Sequence, residues 1–202
     1  MSILSLTKSY EFFKPESCAE RIHIIGCGSV GSTVAELLVR FGLTKLTLYD
    51  FDTVEPQNLA NQMFRQEHIG MPKVDALTMM LVEINPEIAG SIKLAWDGYV
   101  NQKLSGYVFL CVDNIDLRRE IATAHKNNPY IKAMFDFRTR LTDAQHYAAD
   151  WTDLKDGGRL PAFNEFQSRG SKRGDTGFGV QCCIICRADG EDNLRVGCRQ
   201  LY

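Results

Sequence analysis

The chain reads as a doubly wound, mostly parallel α/β sheet of Rossmann type with helices on both faces. Three features carry that reading. A G-x-G-x-x-G turn, Gly26-Cys27-Gly28-Ser29-Val30-Gly31, sits between an apolar strand and a helical run. An acid, Asp50, closes the next strand. A continuous apolar run, Tyr107-Val108-Phe109-Leu110-Cys111-Val112, has the character of a central parallel strand and is followed at once by Asp113-Asn114.

Taken in order, Ile22-His23-Ile24-Ile25 predicts a short buried strand and Ser32 to Phe41 a helix stopped by Gly42. In the turn between them, Gly26 permits a sharp reversal. Gly28 carries no Cβ to hold a phosphate off the backbone, and Gly31 lets helix and strand pack closely. The amides at the helix start, at the positive end of its dipole, then face an anion. Lys45 to Tyr49 alternates as a second strand, and Asp50 at its end can accept both ribose hydroxyls. A short helical stretch from Asn58 to about Phe64 follows, then a helix from Pro72 to Ile84 closed by Asn85-Pro86. Ile92 to Trp96 reads as a strand, Ile115 to His125 as a helix, Tyr130 to Phe135 as a strand, and Gln145 to Ala149 as a weaker, antiparallel one. The stretch 156–179 is rich in Gly, Arg, Lys and Ser without periodicity and reads as a mobile loop. Val180 to Arg187 is a last strand-like piece before a cysteine-bearing tail. All 202 residues are expected to form one domain.

Composition narrows the partners. Lys plus Arg number 23 against 25 Asp plus Glu, a formal charge of −2, so nothing points to nucleic acid. No charged leader precedes an apolar stretch and no apolar run is long enough to span a bilayer, which leads us to expect a cytoplasmic protein with no membrane partner. Seven cysteines, odd in number and mostly scattered or late, suit a reducing compartment.

The residues after Asp50 discriminate among nucleotide-binding classes. They run Phe51-Asp52-Thr53-Val54-Glu55-Pro56-Gln57-Asn58-Leu59, then Arg65, Gly70-Met71-Pro72-Lys73, Asn85-Pro86 and Cys111-Val112-Asp113-Asn114. Over about Arg21 to Ile121 this order resembles the ubiquitin-activating-like adenylyltransferases, the ThiF/MoeB/HesA family. The resemblance implies ATP bound on the sheet with Mg²⁺. It also implies adenylation of the C-terminal carboxylate of a small ubiquitin-like or sulfur-carrier protein ending in Gly-Gly, or of a peptide, with release of pyrophosphate and passage of the acyl group to a thiol or sulfur donor. It implies that Asp50 holds the ribose with Asp52 beside it in the nucleotide site. Asn58 and Arg65 then face the phosphates, Lys73 reaches the triphosphate, and Asp113 holds Mg²⁺. A homodimer is also implied. The chemistry needs such groups: an ionised carboxylate attacks the α-phosphorus without a general base, while cations meet the charge building on pyrophosphate.

Each residue has a plainer reading. Asp50 and Asp52 also suit turn hydrogen bonds, Asn58 a helix cap, Lys73 a solvated first turn and Asp113-Asn114 the cap of the next helix. Their joint order favours the functional reading. Three departures from the family pattern stand against it. Asn-Leu-x-Arg-Gln is here Asn58-Leu59-Ala60-Asn61-Gln62, with an arginine displaced to Arg65. The stretch 1–20 holds no arginine to reach across a dimer, only Lys8 and Lys14. Cys183-Ile184-Ile185-Cys186 is half a Zn²⁺ site without a second pair, and adjacent Cys182 and Cys183 are poorly placed to ligate one ion. Cys198, between Arg195 and Arg199, is either an acyl-accepting thiolate or a plain tail cysteine, and the chain ends at Tyr202 where the family continues, as a shortened form or a fragment would. Two alternatives follow: a degenerate nucleotide-binding homologue serving as a partner subunit, and an NAD(P)-dependent oxidoreductase, which leaves Asn58, Lys73 and Asp113 unexplained.

Overall fold

The computed structural model describes residues 4–11, 13–90, 93–95, 100–139, 144–152, 185–189 and 193–197. Its elements are β1 (Ile22–Ile25), α1 (Ser29–Arg40), β2 (Leu46–Tyr49), α2 (Lys73–Ile84), β3 (Lys93–Ala95), β4 (Gly106–Leu110), α3 (Ile115–Ala124), β5 (Ile131–Thr139), β6 (Ala144–Asp150), β7 (Ile185–Asp189) and β8 (Asn193–Gly197). The first six strands form one sheet in the order β3-β2-β1-β4-β5-β6, parallel throughout except for β6, which runs antiparallel to β5. This is the doubly wound order, with its reversal between β1 and β4, and ligands in such sheets bind outside the strand carboxyl ends at that reversal.

Strand alternation builds a core on each face. Ile22, Ile24, Leu46, Leu48 and Phe109 pack with Val34, Ala35 and Leu38 of α1 and Val74, Leu77 and Leu81 of α2. On the opposite face Ile25, Tyr49, Val108 and Leu110 pack with Ile121 and Ala122 of α3. On the α1 and α2 side, Phe109 stacks on Phe135 at 4.6 Å and on Phe137 at 5.8 Å between ring centroids.

The expected elements are present with shifted bounds. α1 starts at Ser29, inside the glycine fingerprint, because Gly28 serves as its N-cap. The helix expected over Asn58 to Phe64 is instead a short 3-10 helix, Pro56–Ala60, followed by a turn. Pro56 pre-sets the first turn but gives no run of residues with helical spacing to extend it. β5 runs four residues past Phe135, because β6 pairs with it from Ala133 to Thr139. β7 and β8 form a separate antiparallel pair that overlaps the expected last strand. The loop expected at 156–179 lies outside the described residues. Among those described, no helix is long and apolar enough to cross a membrane.

One buried ionic group ties the carboxyl ends of β4 and β5. Arg118 of α3 donates through Nε to Val112 O at 2.6 Å and through Nη1 to Leu110 O at 3.0 Å and Phe137 O at 2.8 Å, and it pairs with Asp136. Asp136 is 1% exposed and also receives Arg138 at 3.0 Å. Burial pushes the Asp136 carboxyl up, against the pull of both arginines. Asp136→Leu therefore leaves Arg118 as a buried charge without its carboxylate. We expect a loss of about 3–5 kcal/mol, a drop in Tm of roughly 6–15 °C by circular dichroism. An unchanged Tm would mean that the network contributes nothing to stability.

Candidate functional site

The glycine turn is shaped by backbone contact. Gly26 has φ +94°, and a Cβ there would stand 2.8 Å from Val112 N. A Cβ on Gly31 would stand 1.8 Å from Gly26 O. These two glycines bring β1, α1 and the segment after β4 into direct contact. Gly28 differs: its φ is −75°, and the nearest atom to its missing Cβ is Gln62 Nε2 at 4.0 Å. Room beside the start of α1, which has neither a side-chain cap nor an acid in its first turn, is what an anion requires.

Asp50 lies just past β2 and is 5% exposed. Its Oδ2 accepts from Cys27 N at 2.7 Å and its Oδ1 from Asp52 N at 2.9 Å. The turn hydrogen bonds of the plainer reading are thus present. Each carboxylate oxygen still has a further lone pair for a hydroxyl donor. Burial pushes the Asp50 carboxyl up, opposed by the two backbone donors and by Lys73.

Lys73 opens α2 and is buried, and its Nζ pairs with Asp52 Oδ2 at 2.8 Å. Burial, not the solvated first turn, is its situation. The two residues meet because 52–54 and 70–73 run side by side. Lys73 N donates to Asp52 O at 2.9 Å, Val54 N to Met71 O at 2.8 Å and Gly70 N to Val54 O at 2.8 Å. Asp113 is exposed beyond the carboxyl end of β4, directly after the Cys111-Val112 segment that Gly26 touches. Asn114 caps α3, its Oδ1 accepting from Asp116 N and Leu117 N.

The structure therefore gathers Gly26, Gly28, Gly31, Asp50, Asp52, Lys73 and Asp113 at one end of the sheet. Arg65 does not join them. It stands in extended backbone before a second 3-10 helix, with its exposed side chain 3.4 Å from Glu83 Oε2 and 3.7 Å from Glu67 Oε1. Glu83 lies ten residues beyond Lys73, about 15 Å along α2. The 3-10 helix that carries Asn58 ends at Ala60, so Arg65 does not share a helix with Asn58. Asn58 Oδ1 accepts from Glu55 N at 2.8 Å, so its carbonyl oxygen serves the local turn. Cys183 and Cys198 lie outside the described residues, and Cys186 is seen only as a β7 position opposite Val196. Among the described residues no cluster of three or more His, Cys, Asp or Glu could hold a metal ion.

Two residues went unassigned in the sequence. Among the described residues Gln62 Oε1 is buried without a hydrogen-bond partner, while Nε2 of the same amide overlooks Gly28. Its signal was its place four residues after Asn58, in the run where the family pattern also has glutamine. Arg118 stitches the ends of β4 and β5, and its spacing from Ile121 and Ala122 placed it on the buried helix face. Cys27 is fully buried, which pushes its thiol well up, and neighbouring Asp50 adds to that. A cavity of about 430 Å³, lined by Tyr10, Glu16, Cys18 and Lys45 among others, lies at the amino ends of β1 and β2, away from these groups.

A glycine turn opening onto an acid, a buried lysine and a strand-end aspartate, at the carboxyl edge of a doubly wound parallel sheet, defines a Rossmann-type α/β domain. The ThiF family model matches residues 17–146, and the chain belongs to that family. It is 42% identical over 85 residues to ubiquitin-like modifier-activating enzyme 5 of Arabidopsis thaliana, a match covering 42% of this chain and 19% of that protein. Against the enzyme of the same name from Bombyx mori it is 32% identical over 136 residues, covering 60% of this chain and 34% of the relative. The chain thus spans a fifth to a third of the length of these curated relatives. Solved E. coli structures share the fold. MccB with AMPCPP and MccA aligns with TM-score 0.59 and 19% identity, over 66% of this chain and 41% of its own. The tRNA N6-threonylcarbamoyladenosine dehydratase TcdA with AMP aligns with TM-score 0.51 and 23% identity, over 60% and 52% respectively.

Two outcomes test this geometry. Gly28→Ala adds no more than an ordinary van der Waals contact with Gln62, so Tm should stay within about 1 °C of wild type while ATP affinity measured by calorimetry falls at least roughly tenfold. Gly31→Ala must displace backbone and should cost about 3 kcal/mol or more. Equal Tm values for the two variants would refute the distinction. The raised Asp50 pKa sets a pH window. A ribose held at Asp50 would need the carboxylate, so nucleotide affinity should then fall on acidification at a pH above that of an ordinary aspartate, and Asp50→Asn should remove this dependence. The stability term has the opposite sign. It is present below the unfolded pKa and is lost as pH rises through the folded one. Calorimetric titrations across pH 4 to 8, flat in the wild type, would contradict the assignment.

Proposed function

We propose that this chain is an adenylating domain. It binds ATP with Mg²⁺ and activates the C-terminal carboxylate of a small ubiquitin-like or sulfur-carrier protein ending in Gly-Gly, or of a peptide. The observation that carries the reading is the convergence of the room beside Gly28, the Asp50 carboxylate, the buried Lys73 ammonium and exposed Asp113 at one end of the sheet. Family membership and relatives named as ubiquitin-like modifier-activating enzymes support it. In this role the N-terminus of α1 and Lys73 receive phosphate oxygens, and Asp50 accepts from ribose hydroxyls. The incoming carboxylate, already ionised, attacks the α-phosphorus as pyrophosphate departs. A lone exposed carboxylate fits Mg²⁺, which typically takes one or two carboxylates plus substrate phosphates, and Mg²⁺ held by Asp113 would offset the charge developing on pyrophosphate. A homodimer and a cytoplasmic setting belong to the same proposal.

A second reading has its own observation. With Arg65 paired to Glu83 and Asn61 exposed where the family pattern has arginine, Lys73 is the cation at this end of β2 among the described residues. A chain short of phosphate-binding cations would need a partner subunit to complete catalysis.

The deciding assay is ATP–pyrophosphate exchange with Mg²⁺ and a panel of Gly-Gly carriers and short peptides. Exchange should depend on one of these substrates and fall roughly 100-fold in Asp113→Ala. ATP binding without exchange for any substrate would favour the partner-subunit reading instead.

A further inference from the structure

We propose that Asp52 is a positioning residue for Lys73, not a ligand of the nucleotide. The inference rests on the adenylating reading and goes beyond it by assigning Asp52 a different task from Asp50. The two acids are two residues apart but differently housed. Asp50 is 5% exposed, with both oxygens taking backbone donors, whereas the Asp52 side chain is 52% exposed and spends one oxygen on Lys73.

Lys73 needs such a partner. It stands in the first turn of α2, where the helix dipole repels a cation, and its side chain is only 9% exposed. A four-carbon stem loses much of its rotamer freedom when its ammonium is fixed there, and burying that charge unpaired costs more still. The Asp52 carboxylate at 2.8 Å meets both costs. The backbone contacts between 52–54 and 70–73 bring the two residues together without help from either side chain, so the carboxylate selects the ammonium's direction and does not hold the segments together.

The donor count explains why Asp52 can stay in place during binding. An ammonium has three N–H donors, and Asp52 is its one hydrogen-bond acceptor among the described residues, leaving two for phosphate oxygens. Asp50 completes the chain of support, because its Oδ1 fixes the Asp52 backbone N–H at 2.9 Å. A carboxylate beside a triphosphate repels it. Asp52 therefore lowers ground-state affinity while aligning the cation for the charge that develops on the leaving group, a combination that separates binding from turnover.

Asp52→Ala and Asp52→Glu in the full chain test this, with two readouts. Trace acetylation of lysines, followed by peptide mass spectrometry with Lys8 and Lys126 as internal references, reports how firmly the Lys73 ammonium is held. Calorimetry and pyrophosphate exchange report nucleotide affinity and turnover. In Asp52→Ala, Lys73 should label several-fold faster, ATP should bind as tightly as in wild type or more tightly, and exchange should fall roughly 10- to 100-fold, with partial recovery in Asp52→Glu. Unchanged Lys73 labelling would overturn the proposal, and so would parallel loss of affinity and exchange, which would make Asp52 a direct ligand. A wild-type chain that neither binds ATP nor catalyses exchange would overturn the adenylating reading, and the labelling result would still decide whether Asp52 holds Lys73.

Discussion

The Asp50 carboxylate is the constraint on which the candidate site depends. One oxygen takes the Cys27 N–H of the glycine turn and the other takes the Asp52 N–H of the segment leading to Lys73, so a single buried acid sets the geometry of both. Its burial is costly, as the upward displacement of its pKa records, and two backbone donors with a nearby ammonium offset that cost. A residue type expected for ribose binding is thus also a structural staple. The two roles are compatible because a carboxylate has more acceptor sites than its two backbone donors occupy.

Around that staple, close backbone approach does the rest. Gly31 against Gly26 and Gly26 against Val112 leave no room for a side chain, and they hold α1, β1 and the end of β4 at a spacing that larger residues would forbid. On the far side of Asp113, Arg118 gathers the carbonyls of Leu110, Val112 and Phe137, fixing the strand ends from which the crevice opens. The same carbonyls left without a donor would be a liability in a sheet buried on both faces.

The organisation has a consequence for charge. Among the described residues, acids outnumber lysines at the carboxyl ends of β2 and β4. Asp50, Asp52 and Asp113 stand with Lys73, and the arginine expected nearby is turned toward Glu83 and Glu67. A polyphosphate entering such a site meets the open N-terminus of α1 and a lysine whose direction is already set, and a divalent cation at Asp113 would offset much of the remaining repulsion. The departures from the family pattern at Asn61 and Arg65 are concentrated in this charge balance, not in the fold.

How much was legible follows from the range of each interaction. The doubly wound class, the approximate positions of its strands and helices and the placing of Gly28, Asp50 and Asp113 at strand ends were readable, because apolar periodicity and glycine spacing are local properties that a buried sheet must obey. The direction of Arg65 was not. It depends on where a 3-10 helix stops and on Glu83, eighteen residues away. Nor was the burial of Lys73 or its pairing with Asp52, twenty-one residues apart, which arises only when two extended segments close on each other through backbone hydrogen bonds. Gln62 over Gly28 and Arg118 beneath the strand ends belong to the same class. The sequence by itself determined the family, the sheet and which residue types reach its carboxyl edge. Tertiary structure alone decided which charges neutralise one another there, because ion pairing depends on distance in space and a one-dimensional pattern does not encode it.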